Sequence, residues 1–465
     1  MQFQRIIIAL FALSMLSIHV SPAIASISMG LLFLISIIYY LHPGLIKNIA
    51  VKHGQESAEN QAMQLDSVSQ NSSRMNSIKS KSQLNRIILV SAILLIFMLA
   101  LEWYHGCAPS GFKVFKNFMP LFLLPFLGWM FSGMDANRFR KELNWLRPAL
   151  NIPLIWMVIA SSLEYLSHHQ FYSEMILESK PMPLFSRVYH IEFSLILAMQ
   201  LLFTLFLYRK GMFRKDRSWM IYTELVLLFL GLHFLSARTG LLSFWVGVIF
   251  LFSGDIRSIS KKWLIAGVIV FATLILSFSS IRNRMVNSWE DMSAVVKGED
   301  LNHKSFGQRW ESWKAGVYMI KNHPLLGVGP CNFNNKHQEA YQDIGSGLRV
   351  ENRIGPHNQW IQWIAEYGGL IIGFIFVYLW LVFRVSQNTE NQVLTRITDS
   401  VEKPLNWKLN DGRNNAHSEL WFVFALLACL IVASMFESIL ERQAGMWMLI
   451  FAVVIKNIPK NELNF

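Results

Sequence analysis

Three places in this chain set arginine and histidine at the edges of long apolar runs. Arg238 lies in Leu235-Ser236-Ala237-Arg238-Thr239-Gly240, with almost no polar loop around it. Arg187 and His190 frame Ser186-Arg187-Val188-Tyr189-His190, where another apolar run begins. A long polar insert, 281–356, holds Arg309-Trp310-Glu311-Ser312-Trp313 and Arg353, and closes on Pro356-His357-Asn358-Gln359-Trp360. A guanidinium grips two phosphate oxygens at once through its planar fork. A neutral imidazole takes up a proton near pH 7. Together these groups suit a site that binds a pyrophosphate head group and takes up a proton.

Each residue also has a plainer reading. Arg238 could snorkel to the headgroups. However, the charge map puts it at the outer end of a span, where topology asks for no basic residue, and an embedded ionisable group is a functional candidate. Arg187 and His190 could be interfacial anchors beside the belt residue Tyr189, with Glu192 pairing one of them. His357 could merely begin a helix, for which Asn358 is itself a good cap. Arg309 and Arg353 could add positive charge near His357 or be solvated loop residues.

Other signals fail. Gly327-Val328-Gly329-Pro330 has Asn332 where a third glycine would stand, and no expected strand precedes it, so it is not a dinucleotide loop. No Walker lysine, His-Glu-x-x-His or Asp-x-Asp pair occurs, so no metal site and no cofactor are expected. Cys107, Cys331 and Cys429 lack metal spacing. Cys107 and Cys331 both fall in outer loops, which leaves a bridge open, since sequence does not set their distance.

The elements that position these groups are membrane helices. Of 465 residues 53% are apolar and 15% charged, against roughly 25% charged in soluble domains. Many runs reach the roughly 17–25 residues that cross a bilayer. The expected fold is an all-α polytopic membrane protein of about twelve spans: Ile6–Ala25, Ser26–Leu41, Ile87–Tyr104, Phe118–Met134, Ala149–Tyr165, Ile191–Leu207, Trp219–Leu235, Gly240–Phe252, Trp263–Ser280, His357–Phe383, Leu420–Phe436 and Gly445–Ile455. Ala23-Ile24-Ala25 imitates a signal cleavage site, but the first two runs are read as tight uncleaved spans. The net charge of +12 concentrates in short inner loops such as Arg138-Phe139-Arg140-Lys141 and Lys261-Lys262. That is positive-inside bias, and it argues against nucleic acid as a partner.

The organisation expected is an N-terminal transmembrane pair (1–43), a disordered cytoplasmic linker (44–86), a helix bundle (87–280), the outer insert (281–356) and C-terminal spans (357–465) with a cytoplasmic loop at 384–418. Within the insert, spacing predicts a helix over Ser305–Asn322 with an apolar face of Trp310, Trp313, Val317 and Ile320. Pro324 stops it, a turn follows, and a second helix covers Asn334–Asp343.

The order Ser-Ala-Arg-Thr-Gly, Arg-Trp-Glu-Ser-Trp, His323-Pro324-Leu325-Leu326-Gly327-Val328-Gly329-Pro330-Cys331-Asn332-Phe333, and Pro-His-Asn-Gln-Trp with Glu366-Tyr367-Gly368-Gly369 resembles the O-antigen ligase and polymerase superfamily. The match covers roughly Arg187 to Phe383. The resemblance implies a bacterial inner-membrane glycosyltransferase with a large periplasmic helical loop. It implies an undecaprenyl-diphosphate-linked glycan donor and a glycan acceptor such as lipid A-core, among membrane lipids. By the same resemblance Arg238 and Arg187 hold the diphosphate and His357 is catalytic; His190, Arg309, Arg353 and Asn358 are candidate supporting residues by their positions in the sequence. Two other readings stay open: a polymerase joining lipid-linked repeat units, and a polytopic transporter, against which the absence of an internal repeat counts.

Overall fold

The structure, a computed structural model, describes residues 2–17, 19, 21–41, 66–107, 121–122, 124–128, 136–177, 183–210, 218–235, 237–253, 279–382, 409–440 and 443–456. Its elements are helices: α1 (Gln2–Ser17), α2 (Pro22–Leu41), α3 (Asp66–Tyr104), α4 (Ala136–Ser167), α5 (His169–Leu177), α6 (His190–Arg209), α7 (Ser218–Leu235) and α8 (Arg238–Phe252). The insert supplies α9 (Ser279–Lys297), α10 (Ser305–Asn322) and α11 (Phe333–Asp343). Then come α12 (Gln359–Tyr367), α13 (Gly369–Val382), α14 (Leu409–Phe436) and α15 (Gln443–Lys456).

Among the described residues, three segments are long and apolar enough to cross a membrane: Asn85–Tyr104, Trp145–Ser167 and His190–Arg209. The bent pair α12–α13 makes a fourth, and shorter apolar helices lie in α1, α7, α8, α14 and α15. This is a multi-pass helical membrane protein. The expected spans Phe118–Met134 and Trp263–Ser280 fall largely outside the described residues.

The α6 segment is the central helix, 78% buried where the other two long segments are 33% and 28% buried. It packs against α7, α8, α14 and α15. Small residues permit this: a Cβ at Gly240 would collide with Ser194, and one at Gly247 with Leu202 and Cys429. Close backbone approach is the main packing device where lipid removes the hydrophobic drive between helices. Polar groups add specificity between α4, α6 and α7. Arg147 donates to Glu224 at 2.8 Å, and Asn151 donates to Glu224 at 3.0 Å and to Thr204 at 3.1 Å.

Several expectations change. α1 ends at Ser17 and α2 begins at Pro22, ahead of the expected boundary at Ala25; proline suits the first position of a helix. Helix is present from Asp66, inside the stretch expected to be a disordered linker, as an extension of the apolar helix that follows. α14 likewise begins at Leu409, within the stretch read as a loop. The run His357–Phe383 is not one helix: it turns by 119° at Gly368. Gly368 has φ +82°, and a Cβ there would strike the Leu325 carbonyl. The Gly-Val-Gly turn docks on this break. Val328 N–H donates to Ala365 O and Gly329 N–H to Glu366 O, both at 2.9 Å, filling carbonyls that the end of α12 leaves open.

In the insert α10 spans Ser305–Asn322 as expected, but its apolar face is misassigned. Trp310 and Val317 are exposed, while Ser312, Ala315, Gly316 and Met319 are buried. The reason is close packing on α12: a Cβ at Gly316 would collide with Ile361. Cys107 and Cys331 form a disulfide with Cα atoms 5.6 Å apart, tying the end of α3 to the insert. Asn332 strengthens the tie by donating to the His105 carbonyl at 3.3 Å.

Candidate functional site

The short strap Ile354–Pro356 delivers His357, and three donors fix it. Tyr341 Oη donates to the Ile354 carbonyl at 2.9 Å and Ser312 Oγ to the same oxygen at 3.1 Å. Trp313 Nε1 donates to the Pro356 carbonyl at 2.6 Å. α10 and α11 thus hold the strap from one side. His337 sits in their seam, its Nε2 against the Ser312 carbonyl at 3.2 Å and its ring stacked on Phe333. Burial lowers the His337 pKa, so this imidazole stays neutral inside the cap.

His357 has φ +44°, the one non-glycine at positive φ among the described residues. Such a conformation costs about 1–3 kcal/mol and persists only where surroundings over-determine it. Here they do. Asn358 Oδ1 accepts from Trp360 N and Ile361 N, at 3.0 and 3.1 Å, and caps α12. Asn358 Nδ2 donates to the Met435 carbonyl at 3.0 Å. Gln359 Oε1 accepts from Leu440 N at 2.9 Å, and Ser438 bonds to Gln362. The first turn of α12 is therefore stitched to the end of α14. The cap is Asn358; His357 stands outside the helix.

That stitching brings in a residue absent from the sequence expectations. Glu437, 2% exposed by side chain, receives His357 Nδ1 on Oε2 at 2.9 Å and Arg309 Nη2 on Oε1 at 2.8 Å. Arg309 Nη1 also donates to the Phe436 carbonyl at 3.1 Å. A carboxylate only accepts, so the neutral imidazole carries its proton on Nδ1 and leaves the Nε2 lone pair open. His357 retains 33% side-chain exposure, so a reactant can reach it. This geometry is one in which an imidazole could act as a base oriented by Glu437, whose charge Arg309 offsets.

Arg238 opens α8 with an exposed side chain. Among the described residues its guanidinium has no hydrogen bond or ion pair. Its electrostatic neighbours are Arg309 and Asp291. Arg309 is occupied by Glu437, and Asp291 Oδ2 accepts from Phe306 N at 3.0 Å. Arg238 is thus a cation with open donors beside the His357 cluster, on an uncapped helix N-terminus that also favours anions.

The other expected residues make contacts of their own. Arg353 Nε donates to the Leu348 carbonyl at 3.2 Å and its guanidinium lies over Tyr341, which makes it a brace within the cap. Arg187 donates its backbone N–H to His19 at 3.0 Å; its exposed guanidinium has no partner among the described residues. His190 begins α6, half-buried, with its ring against Tyr189. Among the described residues no three His, Cys, Asp or Glu gather as a metal site.

Comparison with protein families matches residues 224–392 to the family described as O-antigen ligase. Comparison with curated proteins finds no match. The matched stretch contains Arg238, Arg309 and His357 and ends before Glu437. Over that stretch, about a third of the chain, the sequence is similar to the O-antigen ligase family, a likeness that points toward a membrane glycosyltransferase-like enzyme.

Proposed function

We propose that this protein is an O-antigen ligase-type glycosyltransferase of the bacterial inner membrane. It moves a glycan from undecaprenyl diphosphate onto a hydroxyl of lipid A-core at the periplasmic face. The observation that carries this reading is Glu437 bridging His357 and Arg309, with Arg238 beside them and without a hydrogen bond or ion pair among the described residues. His357 Nε2 removes the acceptor hydroxyl's proton as that oxygen bonds to the anomeric carbon. The bond from that carbon to the diphosphate breaks, and the electron pair leaves on the phosphate oxygen. Arg238 takes up the charge developing there, helped by Arg187 where the lipid's second phosphate reaches it. Attack opposite the leaving group inverts the anomeric centre.

The membrane arrangement belongs to the same proposal: twelve spans, both termini and the segments 44–86 and 384–418 cytoplasmic, 281–356 periplasmic. The Cys107–Cys331 bridge supports it, since disulfides persist in oxidising compartments such as the periplasm. The chemistry needs no metal or cofactor in its proton and leaving-group steps. Deleting the gene and running surface polysaccharide on a gel tests the reading. Loss of all attached glycan is expected. A single repeat unit left on lipid A-core would make the protein a polymerase, and an unaltered pattern would defeat both assignments.

A further inference from the structure

α9 leaves an apolar stripe uncovered along its length. Met285, Trp289, Met292 and Val296 are 56%, 69%, 42% and 82% exposed. Their spacing of i, i+4, i+7 and i+11 lines them up on one face. The opposite side is turned inward through Asp291 and Ala294. Four large apolar side chains in a row on an extramembrane helix need a covering surface.

Two features say which surface. α9 begins at Ser279, at the very end of the apolar run Trp263–Ser280 that the sequence marks as a span. α5, which packs against α9, begins at His169, just behind the end of the segment Trp145–Ser167, and exposes Phe171 by 61%. Two helices that leave two different expected spans and touch one another thus each expose apolar side chains. The surface common to both is the bilayer. The stripe carries no lysine or arginine, which suits burial at the acyl–headgroup boundary more than attraction to anionic headgroups.

We infer that α9 is an interfacial helix whose Met285–Val296 stripe is seated in the leaflet on the side of the active site. Its inward residue Asp291 holds the Phe306 N–H at the start of α10, the helix that carries Arg309, and neighbours Arg238. The membrane surface therefore sets the height of the arginines against a lipid-linked diphosphate. That consequence rests on the function proposed above; the seating of the helix does not.

The test uses the full chain in phosphatidylcholine nanodiscs. Met292→Cys and Glu290→Cys variants carry an environment-sensitive fluorophore, quenched either by lipid spin-labelled near the headgroup or by aqueous iodide. The bridged cysteines and buried Cys429 stay unlabelled. Position 292 should be quenched severalfold more by the lipid than by iodide, and position 290 the reverse. Equal iodide access at both positions overturns the inference. Shielding at 292 without lipid quenching also overturns it, giving the stripe to a second copy or another protein. Depth is read without turnover, so an inactive enzyme leaves this result intact, and a failed depth measurement leaves the enzymatic reading intact.

Discussion

Glu437 accepts the Nδ1–H of His357 at 2.9 Å across a sequence separation of 80 residues. The same carboxylate takes Arg309 on its other oxygen. One buried charge therefore sets the tautomer of the neutral imidazole and ties the polar insert to the end of α14.

Replacing that charge tests the relationship. Glu437→Gln keeps the size and one acceptor oxygen but no longer favours a proton on Nδ1 or stabilises a charged imidazole. Turnover should fall by about 10²-fold or more, within the range of general-base assistance, while donor KM changes little. A larger change in KM than in kcat would make Glu437 a clamp for the insert and not an orienter of the base.

Arg238→Lys should be nearly as harmful as Arg238→Ala, although charge is kept. A compact ammonium cannot reproduce a forked contact to two phosphate oxygens. The loss should appear in use of the lipid-linked donor, with normal protein accumulation. Full activity in the lysine variant would return Arg238 to a snorkelling anchor.

The disulfide should matter to the site as well as to stability. Cys331 follows the Gly-Val-Gly-Pro turn that seals the end of α12, so releasing it loosens the helix behind His357. Cys331→Ser should lower the melting temperature, native bridges being worth roughly 2–4 kcal/mol, and reduce transfer. Cys429→Ser serves as the control. Unchanged melting under reductant would mark the bridge as idle.

His337 gives a pH dependence with a definite sign. Its folded pKa lies below the ordinary 6.5 because it is buried. The unfolded chain takes up this proton near 6.5 and the folded chain resists it, so below that pH the unfolded state binds more protons and stability falls as pH falls. His337→Gln retains a donor for the Ser312 carbonyl and should flatten that part of the melting profile. Identical profiles for both proteins would mean the cap does not open on unfolding.

Much of the site was legible because it is local. Arg238, His357 and Asn358 stand out as charges or caps at the ends of apolar runs, Arg309 as a cation of the polar insert, and α10 falls on its expected residues. Glu437 was not legible. It looks like any acid ending a span, and only the stitching of α12 to α14 brings it to His357. The bend at Gly368 was hidden for a similar reason, since both sides are apolar and the Leu325 carbonyl that demands a glycine comes from another stretch. The face of α10 was misread because small residues, not large ones, make its contact. α9 passed unnoticed because its apolar stripe is diluted by polar residues on the other side.

His357 carries the sharpest expectation. An asparagine there tolerates the left-handed backbone at φ +44° far better than most residues. Its amide N–H can also donate to Glu437. Capping is unaffected, because Asn358 performs it. His357→Asn thus preserves backbone, contact and helix start while removing the group that accepts a proton at neutral pH. The variant should accumulate and melt like wild type, bind donor through Arg238, and transfer glycan roughly 10²–10⁴ more slowly. His357→Ala should lose the same activity and also some stability, since alanine fits positive φ poorly and leaves the Glu437 carboxylate one partner short. Purified variants in nanodiscs with lipid-linked donor and acceptor provide the assay. Wild-type turnover by the asparagine variant would remove the base from the mechanism and leave charge stabilisation by the arginines to account for catalysis.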